Sequence, residues 1–162
     1  MKIFWMSTWS MVLLLLTGSP AVASTIRAFE PDSLNRIVES QQGKPFVLVV
    51  WSLDCVYCQT SLKTLSEEKS RRKGKDLNVI TISTDSSSDP EAVAMMKQRL
   101  ESLGLAGNAW AFGNAAPEQL RYAIDPKWHG EKPRSYWFNA AGARVANSGV
   151  ITSRTIERWG AK

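Results

Sequence analysis

Strand-like and helix-like patterns of apolar residues alternate along most of the chain. Residues 45–51 form a continuous apolar run rich in β-branched residues, which predicts a strand buried on both faces. Residues 77–83 form a second run of this kind. Between the two runs, residues 56–72 carry apolar side chains at helical spacing. This order predicts two parallel strands joined by a crossover helix.

The rest of the pattern predicts further helices and a hairpin. Two strand patterns flank the turn 140–142 and predict a β-hairpin over 134–150. Strands that alternate with helices before a closing hairpin predict an α/β fold with a mixed central sheet. The remaining predicted elements are helices over 32–41, 90–103, 117–123 and 152–159 and a short apolar stretch over 109–112.

The N-terminal segment has the pattern of a secretory signal peptide. Lys2 precedes the largely apolar run 3–16, and the small residues at 21–23 fit an Ala-x-Ala cleavage site. We therefore expect residues 1–23 to be removed and residues 24–162 to form a single domain. The alternative is an uncleaved membrane anchor, because the segment carries no charge after Lys2 and is nearly long enough to span a bilayer.

Composition and charge add little to this picture. The 162 residues include 20 Lys or Arg and 15 Asp or Glu, which gives a formal net charge of +5. The densest basic segment, 69–75, lies at a predicted helix end, where the helix dipole favours cations; an anionic partner or a membrane surface is the alternative. Basic and aromatic residues are not interleaved, so we expect no nucleic-acid partner.

The only two cysteines of the chain, Cys55 and Cys58, fall between the first buried strand and its helix. Sites gather at the carboxyl ends of parallel strands, so a reactive site is expected there. The pair can be a structural disulfide, half of a metal site or a redox couple. A disulfide across so short a loop stabilises weakly. A structural zinc needs four ligands, and the chain offers only His129 besides the two thiols.

A redox couple agrees with the placement of the pair. The unpaired N–H groups and the dipole at a helix N-terminus stabilise a thiolate and lower the pKa of the first cysteine. Cys55 would then attack substrates and form a mixed disulfide, and Cys58, one turn inside the helix, would resolve it. A Cu(I) carrier that uses both thiolates is the rival hypothesis, because soft sulfur ligands select Cu(I).

Three segments resemble a known family. FVLVVWSLDCVYC (46–58) is similar to the strand and dicysteine motif of thioredoxin-fold proteins, in particular the secreted TlpA/ResA/DsbE-like thiol:disulfide oxidoreductases. VITISTD (79–85) resembles a strand of that branch, and GEKPRSYWFNAAGARVANSGV (130–150) resembles its proline loop and hairpin. The resemblance covers 29–160 in the same order and spacing.

The resemblance implies a monomer of thioredoxin-like fold whose redox centre is the Cys55–Cys58 disulfide, without a metal or another cofactor. It implies that Pro133 is in the cis form and lies against the cysteine pair. The implied partners are protein substrates with cysteine thiols or disulfides and a membrane thiol reductant. In such relatives the usual task, carried out in the periplasm of Gram-negative bacteria, is to keep cysteines of apocytochrome c or copper-site proteins reduced. A disulfide oxidant or isomerase is the alternative.

Two departures from the family pattern bear on mechanism. Asp54 stands where a tryptophan usually precedes the first cysteine, and a carboxylate there disfavours the Cys55 thiolate. The alternative is that Asp54 turns to solvent or caps the helix, with little effect. The acidic residue that many relatives carry is missing, since Val49 and Ser61 occupy the matching places. A built-in proton acceptor for Cys58 is therefore in doubt.

Four residues near the pair are expected to bind substrate. Trp51, four residues before Cys55, should also shield the dithiol and report its redox state by fluorescence. Tyr57 adds a stacking surface between the cysteines. Lys132, just before the expected cis proline, would face the dithiol and favour the Cys55 thiolate, with an exposed loop lysine as the alternative. Pro133 completes this set.

Overall fold

The computed structural model describes residues 25–72 and 77–160. The signal peptide expected at 1–23 lies outside the described residues. None of the helices within the described ranges is long and apolar enough to cross a membrane. The elements in chain order are β1 (Arg27–Phe29), α1 (Ser33–Ser40), β2 (Phe46–Trp51), α2 (Val56–Arg71), β3 (Val79–Ser86), α3 (Pro90–Ser102), a short 3-10 helix (Ala106–Asn108), β4 (Ala109–Phe112), α4 (Pro117–Ile124), β5 (Arg134–Phe138), β6 (Arg144–Ser148) and α5 (Ser153–Trp159).

The strands form one mixed sheet in the order β1-β4-β3-β2-β5-β6. The strands β1, β4, β3 and β2 are parallel to one another. β5 is antiparallel to both β2 and β6. The α/β fold with a mixed central sheet that the sequence predicts is confirmed. β1, which pairs with β4 at one edge, is a strand that the apolar pattern did not predict.

The central strands are buried on both faces, which explains their continuous apolar runs. Successive side chains of a strand point to opposite faces. In β2 the odd-numbered residues face a core formed with α2, α3 and α5, and the even-numbered residues face a core formed with α1 and α4. We call the first of these the α2 core. Three fully buried side chains of α2 contribute to it: Cys58, Leu62 and Leu65. Each large apolar side chain contributes roughly 1.5–3 kcal/mol by its burial.

Side-chain caps fix the starts of the helices around the site. Cys55 is the N-cap residue of α2 and has an extended backbone. Asp89 caps α3 by accepting hydrogen bonds from the N–H groups of Glu91 and Ala92, and Pro90 occupies the first turn. Because β2 runs directly into the turn before α2, the cysteine pair lies at the carboxyl end of the central strand.

Candidate active site

Cys55 and Cys58 form a disulfide at the N-terminus of α2. The sulfurs are 2.07 Å apart and the Cα atoms 5.2 Å apart. The Cys58 N–H donates a hydrogen bond to Cys55 Sγ at 3.1 Å. Cys55 is half-buried, whereas Cys58 is fully buried in the α2 core. Cys55 is therefore the accessible residue of the pair and Cys58 the enclosed one, as an attacking and a resolving cysteine require.

Pro133 lies beside the end of the strand that leads to the cysteines. The Lys132–Pro133 peptide bond is cis, as the family resemblance implies. Arg134 pairs with Val50 in the antiparallel register of β5 and β2, so the next step along the register sets Pro133 beside Trp51. Pro133 is buried, and its carbonyl accepts a hydrogen bond from the Gly149 N–H at 2.9 Å.

Lys132 lies in a polar network where β2 and β3 end. Its ammonium donates hydrogen bonds to Ser52 Oγ at 2.8 Å and to Thr84 Oγ1 at 3.0 Å. Ser52 Oγ in turn donates to the Asp54 carboxylate at 2.5 Å. Ser52 is buried and the Asp54 side chain is exposed. We call these four residues the Lys132 network.

The Lys132 network stabilises the ionised form of Asp54. The hydrogen bond from Ser52 and, next, attraction to the Lys132 ammonium lower the pKa of Asp54. The sequence-based alternative for Asp54 is confirmed in one part and wrong in the other. Its side chain faces solvent, but it does not cap α2, because Cys55 is the N-cap residue and Asp54 is bonded to Ser52. The site therefore has a full negative charge next to Cys55, with a bound ammonium close to it.

The two aromatic residues of the motif lie in opposite environments. Trp51 is fully buried in the α2 core together with Cys58. It can shield the disulfide from within, but direct contact with a substrate is excluded in this conformation, which corrects that expectation. Tyr57 is 68% exposed and Val56 75% exposed. These two neighbours form an apolar surface beside the accessible Cys55 sulfur.

Three polar residues of the site were not singled out from the sequence. Ser52 and Thr84 follow neighbouring positions of parallel strands and meet through Lys132. Asp85 accepts hydrogen bonds from the Leu53 N–H at 2.9 Å and from Ser83 Oγ at 2.5 Å, which holds the turn before the cysteines. They could have been predicted from the sequence, because polar residues at the carboxyl ends of adjacent parallel strands converge.

The two positions that carry an acid in many relatives are occupied by side chains that do not ionise at neutral pH. Val49 is fully buried in β2. Ser61 Oγ donates a hydrogen bond to the Tyr57 carbonyl and accepts one from the Ile151 N–H, each at 3.0 Å. Ser61 thus links α2 to the segment before α5, and neither residue is a base for Cys58.

The part of the chain that the structure describes offers no ready-made metal site. Within 25–72 and 77–160, no group of three or more His, Cys, Asp or Glu side chains is arranged to hold a metal ion. His129 is exposed in the loop before the cis peptide bond. A metal bound at the cysteine pair would therefore depend on the two sulfurs, which are joined to each other in this structure.

Comparisons with known proteins agree with this geometry. The sequence model of the AhpC/TSA family matches residues 25–119, which is more than half of the chain. No curated protein matches the sequence at a significant level. A secreted Mycobacterium tuberculosis disulfide oxidoreductase homologous to E. coli DsbE has a similar structure, with a TM-score of 0.54 and 18% identity over 75% of this chain and 84% of that one.

Two further solved structures are similar. A thiol:disulfide interchange protein of the thioredoxin family from Chlorobium tepidum TLS has a TM-score of 0.56 and 15% identity over 76% of this chain and 84% of that one. A thioredoxin-related protein from Neisseria meningitidis serogroup B has a TM-score of 0.58 and 14% identity over 75% of this chain and 86% of that one. At these identities the likeness establishes the fold, and the predicted thioredoxin-like fold is confirmed.

Proposed function

The chain is a thioredoxin-like oxidoreductase of the AhpC/TSA family, and from that premise we propose that it works in the periplasm as a reductant of protein disulfides. One observation carries the proposal: the disulfide at the start of α2 joins a partly exposed Cys55 to a fully buried Cys58. Disulfide exchange needs an accessible thiolate to attack the partner and a second thiol within bonding distance to release it.

The proposed reaction uses the two sulfurs in turn. In the dithiol state the Cys55 thiolate attacks one sulfur of a substrate disulfide, and the other substrate sulfur leaves with the electron pair and takes a proton from solvent. Cys58 then loses its proton and attacks Cys55 Sγ, which re-forms the Cys55–Cys58 bond and releases the second substrate thiolate. The protein has then given two electrons to the substrate, and a membrane thiol reductant returns them.

The surroundings of Cys55 supply activation and a contact surface. The backbone N–H groups in the first turn of α2 stabilise a thiolate at the helix N-terminus. Tyr57, exposed between the cysteines, offers an aromatic surface to a substrate polypeptide. Pro133 directly precedes β5, and its loop, with Lys132, borders the other side of the site. We assign substrate contact to Tyr57 and Lys132; Pro133 is buried and positions the loop that carries Lys132, so its side chain is not expected to touch substrate.

The charges around Cys55 favour the reducing direction. The ionised Asp54 carboxylate repels a negative charge on the adjacent Cys55 sulfur. The Lys132 ammonium would have the opposite effect, but it is bound by two hydroxyl groups and attracts Asp54, so its charge is partly compensated within the network. A less stable thiolate makes the reduced protein less stable, and its reduction potential is then more negative.

The reduction potential of the Cys55–Cys58 couple tests the direction of the reaction. The full-length protein is equilibrated against dithiothreitol or glutathione, and the oxidised fraction is read by tryptophan fluorescence. We expect a value near or below that of thioredoxin, roughly −270 mV. A value near that of DsbA, roughly −120 mV, would make the protein an oxidant.

Charge-matched variants test the assigned cause. Asp54→Asn removes the negative charge beside Cys55 and should make the potential less negative. Asp89→Asn makes the same change at the N-cap of α3, where Asn also caps well, and should leave the potential unchanged. Equal potentials in the two variants would contradict the role of Asp54.

Cysteine variants test the chemistry and identify the substrates. Cys55→Ser should abolish disulfide reductase activity, whereas Cys58→Ser should accumulate mixed disulfides because the resolving thiol is lost. The substrates that the family resemblance suggests are apocytochrome c and copper-site proteins. Mass spectrometry of the complexes trapped by Cys58→Ser in the periplasm identifies them, and normal turnover by either variant would refute the mechanism.

A further inference from the structure

Two buried polar side chains of β2 and β3, on the strands next to the site, have no hydrogen-bond partner. Among the described residues, the buried side-chain nitrogen and oxygen atoms that lack a partner are Trp51 Nε1 and Thr81 Oγ1. Both residues are fully buried. A buried donor without an acceptor is destabilising, and such groups are rare in folded proteins unless they have a function.

Thr81 and Trp51 project from neighbouring strands onto the same face of the sheet. In the parallel register of β3 and β2, Thr81 pairs with Val49 and Ser83 pairs with Trp51. Val49 and Trp51 belong to the α2 core. Thr81 faces that core as well, because directly paired residues of a sheet share a face. Thr81 and Trp51 are therefore diagonal neighbours beneath α2.

Cys58 is the group of the α2 core that changes its hydrogen-bonding capacity during the reaction. It is fully buried in this core together with Val49 and Trp51. In the disulfide its sulfur is a weak acceptor, whereas a thiolate accepts strong, charge-assisted hydrogen bonds. The buried hydroxyls of Ser61 and Ser83 already donate hydrogen bonds to other groups. They would have to break those bonds to donate to Cys58, whereas Thr81 would not.

We propose that the Thr81 hydroxyl, with the Trp51 indole N–H beside it, donates a hydrogen bond to the Cys58 thiolate as that thiolate attacks the mixed disulfide. The proposal rests on the proposed function and adds a residue to its second step. Both donors lack a partner while the disulfide is closed, and neither donates to Cys58 Sγ in that state. The proposal therefore requires the Cys58 sulfur to move towards them when the disulfide opens. A hydrogen bond to the charged form lowers the pKa of a thiol, so Thr81 would assist Cys58 without an acidic residue.

The bond changes in the assisted step are those of ordinary exchange. The Cys58 thiol loses its proton to solvent, and the resulting thiolate attacks Cys55 Sγ. The Cys55–Cys58 bond forms as the bond between Cys55 and the substrate breaks. The substrate sulfur leaves with the electron pair, so the protein dithiol is oxidised and the substrate is reduced. Thr81 donates a hydrogen bond throughout and loses no proton.

Thr81→Val separates this role from a structural one. The substitution removes the hydroxyl at nearly constant volume. In the oxidised protein it removes an unpartnered buried donor, so the Tm of that state should rise. In the reduced protein it removes a donor to Cys58, so the resolving step should slow. A residue that only supports the fold would not increase stability and slow one chemical step in the same variant.

The experiment follows the reaction of the reduced full-length protein with dithiobis(nitrobenzoate) by stopped flow. Attack by Cys55 releases a first thionitrobenzoate, and attack by Cys58 on the mixed disulfide releases a second. Thr81→Val should slow the second release about tenfold and raise its pH midpoint by about one unit, since loss of a charge-assisted hydrogen bond has that magnitude. The first release should keep its rate.

Two controls make the result specific. Thr81→Ser retains the hydroxyl and should keep the second release near the wild-type rate, and Cys58→Ser should abolish that release and so identify it. In the Cys55→Ser background, ultraviolet titration of the remaining thiolate should give Cys58 a higher pKa with Val at position 81 than with Thr.

The inference is overturned if Thr81→Val leaves the rate and the pH midpoint of the second release unchanged. It is also overturned if Thr81→Ser slows that release as much as Thr81→Val does. Failure of the proposed function has a different signature, because the wild-type protein itself would then lack the second release or have the potential of an oxidant.

Discussion

Replacing Arg134 with methionine should destabilise the protein by about 3 kcal/mol, chiefly because the buried carboxylate of Asp125 loses its cationic partner. Arg134 directly follows the cis proline, and its side chain is only 14% exposed. Its guanidinium donates to Asp125 and to Glu131 at 3.1 Å each and to Ser148 Oγ at 2.6 Å. The same group also lies over the ring of Tyr136, at 5.2 Å from its centroid.

The magnitude follows from the burial of the partners. The Asp125 side chain is 11% exposed, and breaking a buried ion pair from one side costs about 3–5 kcal/mol. Glu131 is 44% exposed, so its pair contributes about 0–1 kcal/mol. Methionine retains the buried apolar stem and fills part of the space over Tyr136. Residual solvent at Asp125 reduces the cost, and we take the lower end of the range.

Urea denaturation at neutral pH measures this loss. Arg36→Met is the matched control, because Arg36 pairs with Asp32 at side-chain exposures of 56% and 70% and should lose less than about 0.5 kcal/mol. Arg134→Lys keeps the charge but cannot form the same fork of hydrogen bonds, so its stability should lie between those of wild type and Arg134→Met. A loss below about 1 kcal/mol in Arg134→Met would refute the reasoning.

The same variant should change the response to acid. Burial opposes ionisation of Asp125, but hydrogen bonds from the Lys127 N–H and from Arg134 prevail and lower the pKa of Asp125 below 3.8. A carboxyl whose pKa is lowered by folding stabilises the protein above its unfolded pKa, and this contribution is lost as the pH falls through its folded pKa. The stability difference between wild type and Arg134→Met should therefore shrink below about pH 4.

Three further predictions concern alkaline stability, the core and the site. Burial raises the pKa of Tyr136 from 10.0 to about 12, so its contribution is complete below pH 10 and is lost towards pH 12; urea midpoints should fall across this window, and less so in Tyr136→Phe. Leu62→Ala, at a fully buried position of α2, should cost about 2–5 kcal/mol in the same assay. Lys132→Met should make the reduction potential more negative, because Asp54 then acts on Cys55 without a neighbouring cation; a less negative potential would contradict this.

The central elements could be predicted because each one carries its own local pattern. β2 is buried at all six of its positions, and burial on both faces requires the continuous apolar run that the sequence has. β1 could not be predicted in this way. It has three residues, of which only Phe29 is buried, and it exists because β4 pairs with it from a distant part of the chain. No local periodicity reports such a partner.

The candidate site also has parts that could be predicted from local sequence and parts that could not. The cysteine pair and the cis proline have local motifs, and the structure has the expected disulfide and cis bond. The Lys132 network has no local motif, because Lys132 and Ser52 are 80 residues apart in the sequence. Sequence reasoning also assigned Trp51 to a substrate surface, whereas the alternation of side chains along β2 turns it into the α2 core.

The two proposals assign opposite influences to the two sulfurs of the disulfide, and together they suit a reductant. On the outer side, we expect the ionised Asp54 to disfavour a thiolate on Cys55 and so, as proposed above, to increase the tendency of the dithiol to give up electrons. The same charge does nothing for the release of substrate, which depends on Cys58. On the inner side, the unpartnered Thr81 hydroxyl can stabilise the Cys58 thiolate only while the disulfide is open. On this proposal Asp54→Asn should change the potential and leave the rate of resolution near that of the wild type. Thr81→Val should slow resolution and also make the potential more negative, because it stabilises the oxidised form relative to the dithiol.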